Sequence, residues 1–189
     1  MVDYSFMRRS DREILDFAEI VDVLRRADVI RLGLNGDPYP YVVPLSFGFE
    51  VLDAEGGVGG AGSAGSVGGI GGNHSNRSNR RGIAIYVHGA AAGLKHELIA
   101  SDNHVCVEAD IFHGNLMHGE ENEKSITAQY ESVIGFGIAE IVGGAAAERG
   151  VGIILGHYGY DNFAYDKTIL KTMKVFKISL VDIKGKRNI

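Results

Sequence analysis

The sequence predicts an α+β fold that is mainly β, an antiparallel Greek-key or partly open barrel with helices packed outside it. Three observations predict it. Apolar residues gather into about six strand-like runs and three or four helical ones. The first three strand runs follow one another with no helix between them, which excludes a doubly wound parallel sheet, because parallel neighbours need long crossovers. Asn35-Gly36 stands between two apolar runs, the strongest short-range hairpin signal, and short antiparallel links favour barrels of this kind. At 189 residues the chain is expected to form a single domain over 1–189.

The first helix opens at Asp16-Phe17-Ala18-Glu19, a capping box. Phe17, Ile20, Val21 and Leu24 follow at helical spacing, and Arg25 and Arg26 fall where the helix dipole favours cations. A strand over Val29–Leu34 leads into the turn Asn35-Gly36-Asp37-Pro38. The return strand is Tyr39–Leu52, whose Pro40 and Pro44 mark an edge or a bulge in its first half. Ile83–Val87 reads as a strand, His88-Gly89 as a turn, and about Ala90–Ala100 as a helix. Val105–Ile111 is another strand, and Gln129–Val142 a long one interrupted by Gly135 and Gly137. Ala145–Tyr158 reads as helix even though Gly150, Gly152 and Gly156 each cost about 1 kcal/mol against alanine. Lys174–Leu180 alternates polar and apolar residues as a last strand.

Much of the glycine lies in one stretch. Of the 27 residues from Gly56 to Gly82, 11 are glycine, and none is aromatic. Such a segment cannot repay its own ordering entropy, and its irregular Gly-Gly spacing lacks the fixed pattern of a phosphate-cradling loop. Residues 55–82 therefore read as a flexible Gly-rich loop insertion inside a hairpin, whose Gly56–Gly82 stretch carries Arg77, Arg80 and Arg81 and no acid.

A net charge of −5 argues against nucleic acid as a partner. No window reaches the ~20 apolar residues of a membrane span, and the first residues lack the apolar core of a secretory signal. The single cysteine, Cys106, cannot form an internal disulfide, which suits the cytoplasm, and its alternating strand makes it a small core residue. His113 and His118 lie near Glu120, Glu121 and Glu123 without any metal-ligand spacing, so a solvated polar loop is expected there and no metal site. Neither a Gly-x-Ser-x-Gly elbow nor a P-loop is present.

The segment Tyr86-Val87-His88-Gly89-Ala90-Ala91-Ala92-Gly93-Leu94-Lys95 carries more chemistry. A strand ends, a glycine permits close backbone approach, and a helix begins with a lysine in its first turns. Open N–H groups at a helix start plus one cation suit a phosphate. His88 stands where a ligand attached to that phosphate would lie. An ordinary strand–helix turn is the competing reading of the same residues.

These residues resemble a known family. Val29–Leu34, Tyr39-Pro40-Tyr41-Val42-Val43-Pro44-Leu45-Ser46-Phe47-Gly48, Tyr86-Val87-His88-Gly89-Ala90 and Ser132-Val133-Ile134-Gly135-Phe136-Gly137 are similar to the pyridoxamine-phosphate-oxidase-like flavin split barrels. Within that superfamily the chain most resembles the 5-nitroimidazole-resistance (Nim) group, through Met7–Ile14 and the C-terminal Val175–Ile178 and Gly185-Lys186-Arg187 as well. The resemblance spans nearly the whole chain except Glu55–Gly82.

The resemblance implies a split β-barrel that forms a homodimer and binds FMN at the subunit interface. Val43, Pro44, Leu45, Ser46 and Phe47 would line the flavin ring, partly through backbone groups. Tyr86, Val87, His88 and Gly89 would lie alongside it, Lys95 would meet the phosphate, and Glu131 and Ser132 would contact the cofactor. His88 would be the catalytic residue, and the implied activity is reduction of a nitroaromatic small molecule. Glu131 replaces the Gln that relatives often carry, and Ala91 and Leu94 replace basic residues, which thins the charge around a phosphate. A pyridoxamine-phosphate-oxidase-like protein with another substrate, a flavin- or haem-binding module with little turnover, and a dimer without cofactor are the competing functions, since one fold hosts several roles.

Overall fold

The computed structural model describes residues 7–52, 82–118 and 125–189. In chain order its elements are β1 (Glu13–Ile14), α1 (Phe17–Arg26), β2 (Ile30–Leu34), β3 (Tyr41–Leu45), β4 (Phe47–Leu52), β5 (Gly82–Ala90), α2 (Leu94–Ser101), β6 (His104–His118), β7 (Ser125–Val142), α3 (Gly144–His157) and β8 (Met173–Asn188). Short 3-10 turns occupy Ser10–Arg12 and Lys167–Lys171. The strand pairs are antiparallel, and the fold class is the expected α+β, mainly β. The chain divides into two compact units, Met1–Ser46 with Ala92–Ile138 and Val181–Ile189, and Phe47–Ala91 with Ala139–Leu180.

In the first unit the strand order is β3-β2-β6-β7-β8, and β1 pairs with the end of β8. The Asp16 carboxylate accepts the Ala18 N–H at 2.9 Å, starting α1 where the sequence predicts it. α1 buries Ile20, Val21, Val23 and Leu24, one helical face. Ile30, Leu32 and Leu34 of β2 and Val105, Val107 and Ala109 of β6 alternate into the same core. That period of two sends Cys106 to the other face with Glu108 and Asp110, so the thiol is half-exposed and not a core residue. β3 lies at the sheet edge, as its prolines require.

Several boundaries differ from the expected ones, and α2 begins at Leu94, where Ala90 is expected, because Ala90 still pairs within β5. The expected return strand Tyr39–Leu52 is two strands, because Tyr41–Leu45 pairs with β2 whereas Phe47–Leu52 pairs with β5, and Ser46 is the changeover. The expected polar loop around His113 and His118 is strand: β6 pairs with β7 from His104↔Ile138 out to His118↔Ser125, with a register shift between Phe112 and Gly114. This outer part shows no clean alternation, since Phe112, Leu116, Met117 and Ile126 are all exposed, so a period-two signal could not mark it.

In the second unit β4 and β5 form a hairpin from Phe47↔Val87 to Leu52↔Gly82, and β8 pairs with the other side of β5. The segments flanking the Gly-rich insertion are therefore the interrupted hairpin that the sequence suggests, while residues 55–81 of the insertion lie outside the described ones. β5 runs on through Ala90, beyond the expected turn, because His88, Gly89 and Ala90 find partners in Val175, Lys174 and Met173. Those partners are far away in sequence. The last strand likewise outruns its predicted Lys174–Leu180 and reaches Asn188, pairing Gly185 with Ile14.

α3 covers this hairpin and buries Ala147, Gly150, Val151 and Ile154. Glycine sets how closely it can lie. A Cβ on Gly48 would overlap the Ile153 carbonyl and sit 2.7 Å from the Ile154 nitrogen, so β4 meets the helix backbone directly. A Cβ on Gly150 would fall 2.8 Å from Tyr86 and from Val175. Among the described residues no helix is long and apolar enough to cross a membrane.

Candidate functional site

Three of the predicted cofactor residues, Val43, Pro44 and Leu45, lie on β3, an edge strand among the described residues, paired with Leu32, Arg31 and Ile30 of β2, and Ser46 follows the strand. An edge strand offers unpaired backbone groups along its outer side. Val42 is 60% exposed there. Lys95, also in the first unit, lies in the first turn of α2, two residues after Gly93, whose φ of 121° is open to glycine. The N–H groups of His96 and Glu97 turn back to the Gly93 carbonyl at 2.9 and 3.2 Å. Half-burial lowers the pKa of the Lys95 ammonium from its ordinary 10.5. This turn, with its cation, can hold an anion.

Glu131 and Ser132 are neighbours on β7, so their side chains leave opposite faces of the sheet. Glu131 is buried. Arg26 of α1 grips it with two bonds of 2.8 and 3.1 Å, and His113 Nε2 lies 2.9 Å from the same carboxylate. Arg26 also holds Asp22 at 2.7 Å. The Arg26 guanidinium keeps the Glu131 carboxyl below its ordinary pKa of 4.5, against the opposing effect of burial. The carboxylate is thus directed to α1 and neutralised there, while Ser132 stands opposite Asp110 on the other face.

The second unit carries Phe47, Tyr86, Val87, His88 and Gly89. Phe47 is fully buried; its N–H donates to the Tyr158 hydroxyl at 3.2 Å and its ring meets His157 at 4.4 Å. Val87 is buried too. Tyr86 points under α3 and donates to Glu50 at 2.7 Å, while Arg149 pairs with the other oxygen of Glu50. Burial first, then Glu50, push the Tyr86 phenol up to about 12. With their side chains inside the unit, these residues have backbone, not side chain, to offer a ligand.

His88 differs. Two residues beyond Tyr86 on the same face of β5, it is exposed and lines a cavity of about 560 Å³ beneath α3. Val151, Ile154 and Leu155 of α3 and Phe163, Ile169 and Met173 form its apolar walls. That volume lies within the range of small-molecule sites. The wall from Phe163 to Met173 is not foreseen in the sequence reading, nor is the Glu50–Tyr86–Arg149 network. An acid within the apolar strand run Phe49-Glu50-Val51 is the one signal that could have pointed to that network, since a buried carboxylate needs partners.

A second apolar cavity, of about 520 Å³, opens in the first unit over Gly33, Cys106, Phe136 and Gly137, and none of the predicted residues lines it. Among the described residues no three His, Cys, Asp or Glu side chains come together as a metal site.

Antiparallel strands in this order, with three α-helices among the described residues, define the split-barrel class of α+β proteins. The family model for pyridoxamine 5'-phosphate oxidase matches residues 16–187, and the chain belongs to that family. It is similar in structure to a Bacteroides thetaiotaomicron protein assigned to 5-nitroimidazole antibiotic resistance, with 23% identity, TM-score 0.65, and 92% of this chain and 85% of that one covered. It is also similar to the flavocytochrome Anf3 of Azotobacter vinelandii (13% identity, TM-score 0.67, 97% and 72% covered). A third likeness is to an FAD- and haem-binding protein of Mycobacterium smegmatis (15% identity, TM-score 0.63, 94% and 73% covered). No curated protein sequence matches the chain.

Proposed function

We propose that this protein is an FMN-dependent oxidoreductase that reduces small nitroaromatic compounds of the 5-nitroimidazole type. The observation that carries the reading is His88, an exposed strand residue that faces an apolar cavity within the second unit. Family membership supports it, and so does the shared fold with the Bacteroides protein.

The donor set fits an FMN chemically. Lys95 and the first N–H groups of α2 suit its phosphate. The edge backbone of Val43–Ser46 suits the polar rim of a flavin ring, and Ser132 adds a hydroxyl. Glu131, the acid that would trouble an anionic ligand, is answered by Arg26. When bound, the flavin would supply the electrons of the reduction. The chain's own part is to orient and protonate: His88 gives a proton from its imidazole to the substrate nitrogen or oxygen as electrons arrive, and the apolar walls give the ring a surface to pack on.

The active form is a homodimer with the cofactor at the subunit interface. Exposed Phe112, Leu116, Met117 and Ile126, all on the outer β6–β7 arm, support a partner that buries them.

Titration of the purified protein with FMN, followed by anaerobic single-turnover reduction of a nitroimidazole by the pre-reduced flavoprotein, tests the reading. Saturable flavin uptake and loss of the nitro absorbance are expected. A protein that stays colourless and takes up no FMN sinks it. In the His88→Gln variant FMN should remain bound while turnover falls by about 10²–10⁴-fold, the usual contribution of a positioned acid.

A further inference from the structure

The cavity beneath α3 has a charge pattern as well as a shape. Among the described residues its lining includes no lysine or arginine. Its polar groups are His88, Tyr165, Asp166, Thr168 and Thr172. One oxygen of Asp166 accepts the Thr168 N–H at 2.9 Å, which starts the 3-10 turn Lys167–Lys171 and fixes the carboxylate at the cavity rim. That bond also lowers the Asp166 pKa from its ordinary 3.8, so the group is an anion at neutral pH. Lys167, the adjacent cation, is drawn off to Glu148 at 2.5 Å.

We infer that this cavity is a chamber for neutral or cationic ring compounds, and that Asp166 is the specificity residue that turns phosphorylated and carboxylated ligands away. The inference rests on the reading of His88 given above and names the substrate class of that site. The warrant is electrostatic. An anion entering apolar walls gives up part of its hydration and, with no lysine or arginine among the described residues of the lining, finds no strong counter-charge there. A fixed carboxylate adds like-charge repulsion, the kind of unfavourable contact by which sites reject wrong ligands. A neutral ring meets Phe163 and Ile169 at no such cost. The phosphorylated substrate in the family's name is therefore a poor fit for this chamber, whereas its phosphate-free counterpart is not.

The chain contains no tryptophan, so one placed at half-exposed Ile169 reports on this cavity alone. Fluorescence quenching of the Ile169→Trp protein is followed with a pair of 5-nitroimidazoles that differ only in a hydroxyethyl or a carboxymethyl group on N1. Repeating the titrations in a His88→Gln background removes any imidazole counter-charge from the comparison. The neutral compound should quench saturably, and the carboxylate should bind at least about tenfold more weakly. Adding Asp166→Asn, which keeps an acceptor for Thr168, should narrow that gap by about threefold or more. Equal affinities, a gap indifferent to Asp166→Asn, or no saturable quenching by the neutral compound would overturn the inference. The two readings fail separately. Selective quenching in a protein that takes up no FMN leaves the chamber standing and removes the flavoenzyme, whereas turnover without charge selectivity does the reverse.

Discussion

Lys95 and Glu131 show how one charge can serve a ligand while another serves the fold. Lys95 is half-buried in the first turn of α2, where desolvation already disfavours its charged form. An incoming phosphate relieves that penalty. Lys95→Ala should weaken FMN binding by about 1.5–3 kcal/mol, the size of a charge-assisted hydrogen bond, and leave riboflavin, which lacks the phosphate, nearly unaffected. Equal losses for the two ligands would show that Lys95 acts through folding. Glu131 is tied to Arg26 and His113 inside the first unit. Glu131→Gln breaks a pair in which the carboxylate is buried and Arg26 is exposed, and it leaves Arg26 with Asp22, so about 1–3 kcal/mol of stability should be lost, below the range for a stranded buried charge. Because Arg26 holds the folded pKa of Glu131 below 4.5, the wild-type contribution is complete above that value and is lost as pH falls through the folded pKa. Denaturation curves of the two proteins should therefore stay a constant distance apart near neutrality and converge below pH 4.5. A gap that stays constant into the acid range would rule out the ion pair as its source.

At the scale of elements, α3 and β4 are fitted to each other by glycine. Gly48→Ala sets a methyl group against helix backbone that has no rotamer to yield, so a loss of about 3 kcal/mol is expected, at the upper end for overpacking. Gly152 of the same helix is exposed with nothing within 4 Å of its would-be Cβ. Gly152→Ala should stabilise by up to about 1 kcal/mol through helix propensity alone. Thermal melts of the two variants should move in opposite directions, and movement together would refute the close approach. The same contrast explains what was legible in the sequence. α1, the β2–β3 turn and the helical nature of Gly144–His157 are written in caps, turn residues and local period. The ends of β5 and β8 are not, because His88 and Gly185 are held by Val175 and Ile14, partners that no local window contains. The candidate site divides in the same way. The His88–Lys95 run carries local chemistry and was readable, whereas the wall built by Phe163, Asp166 and Ile169 exists only once the chain folds back beneath α3.

For the whole molecule, the Gly-rich insertion tests whether the described fold is sufficient in itself. Leu52 and Gly82 are register partners at the end of the β4–β5 hairpin, so the chain leaves and re-enters that hairpin at adjacent positions. Two residues of Asn-Gly type could close it with the turn that antiparallel strands favour. Replacing residues 53–81 by Asn-Gly shortens the connection by about four doublings, and each doubling carries about 0.6 kcal/mol of closure entropy. The shortened protein should therefore be as stable as the parent or more stable by up to about 2 kcal/mol, a rise of a few degrees in Tm for a chain of this size. FMN uptake should be unchanged, since none of the residues proposed to hold the cofactor lies between 53 and 81. Removing Arg77, Arg80 and Arg81 along with Asp53 and Glu55 makes the net charge more negative by one, so any loss from charge repulsion should be small and fade in added salt. A loss of more than about 1 kcal/mol that persists at high salt, or a fall in flavin affinity, would mean that the insertion packs on the fold and that its composition misrepresents it.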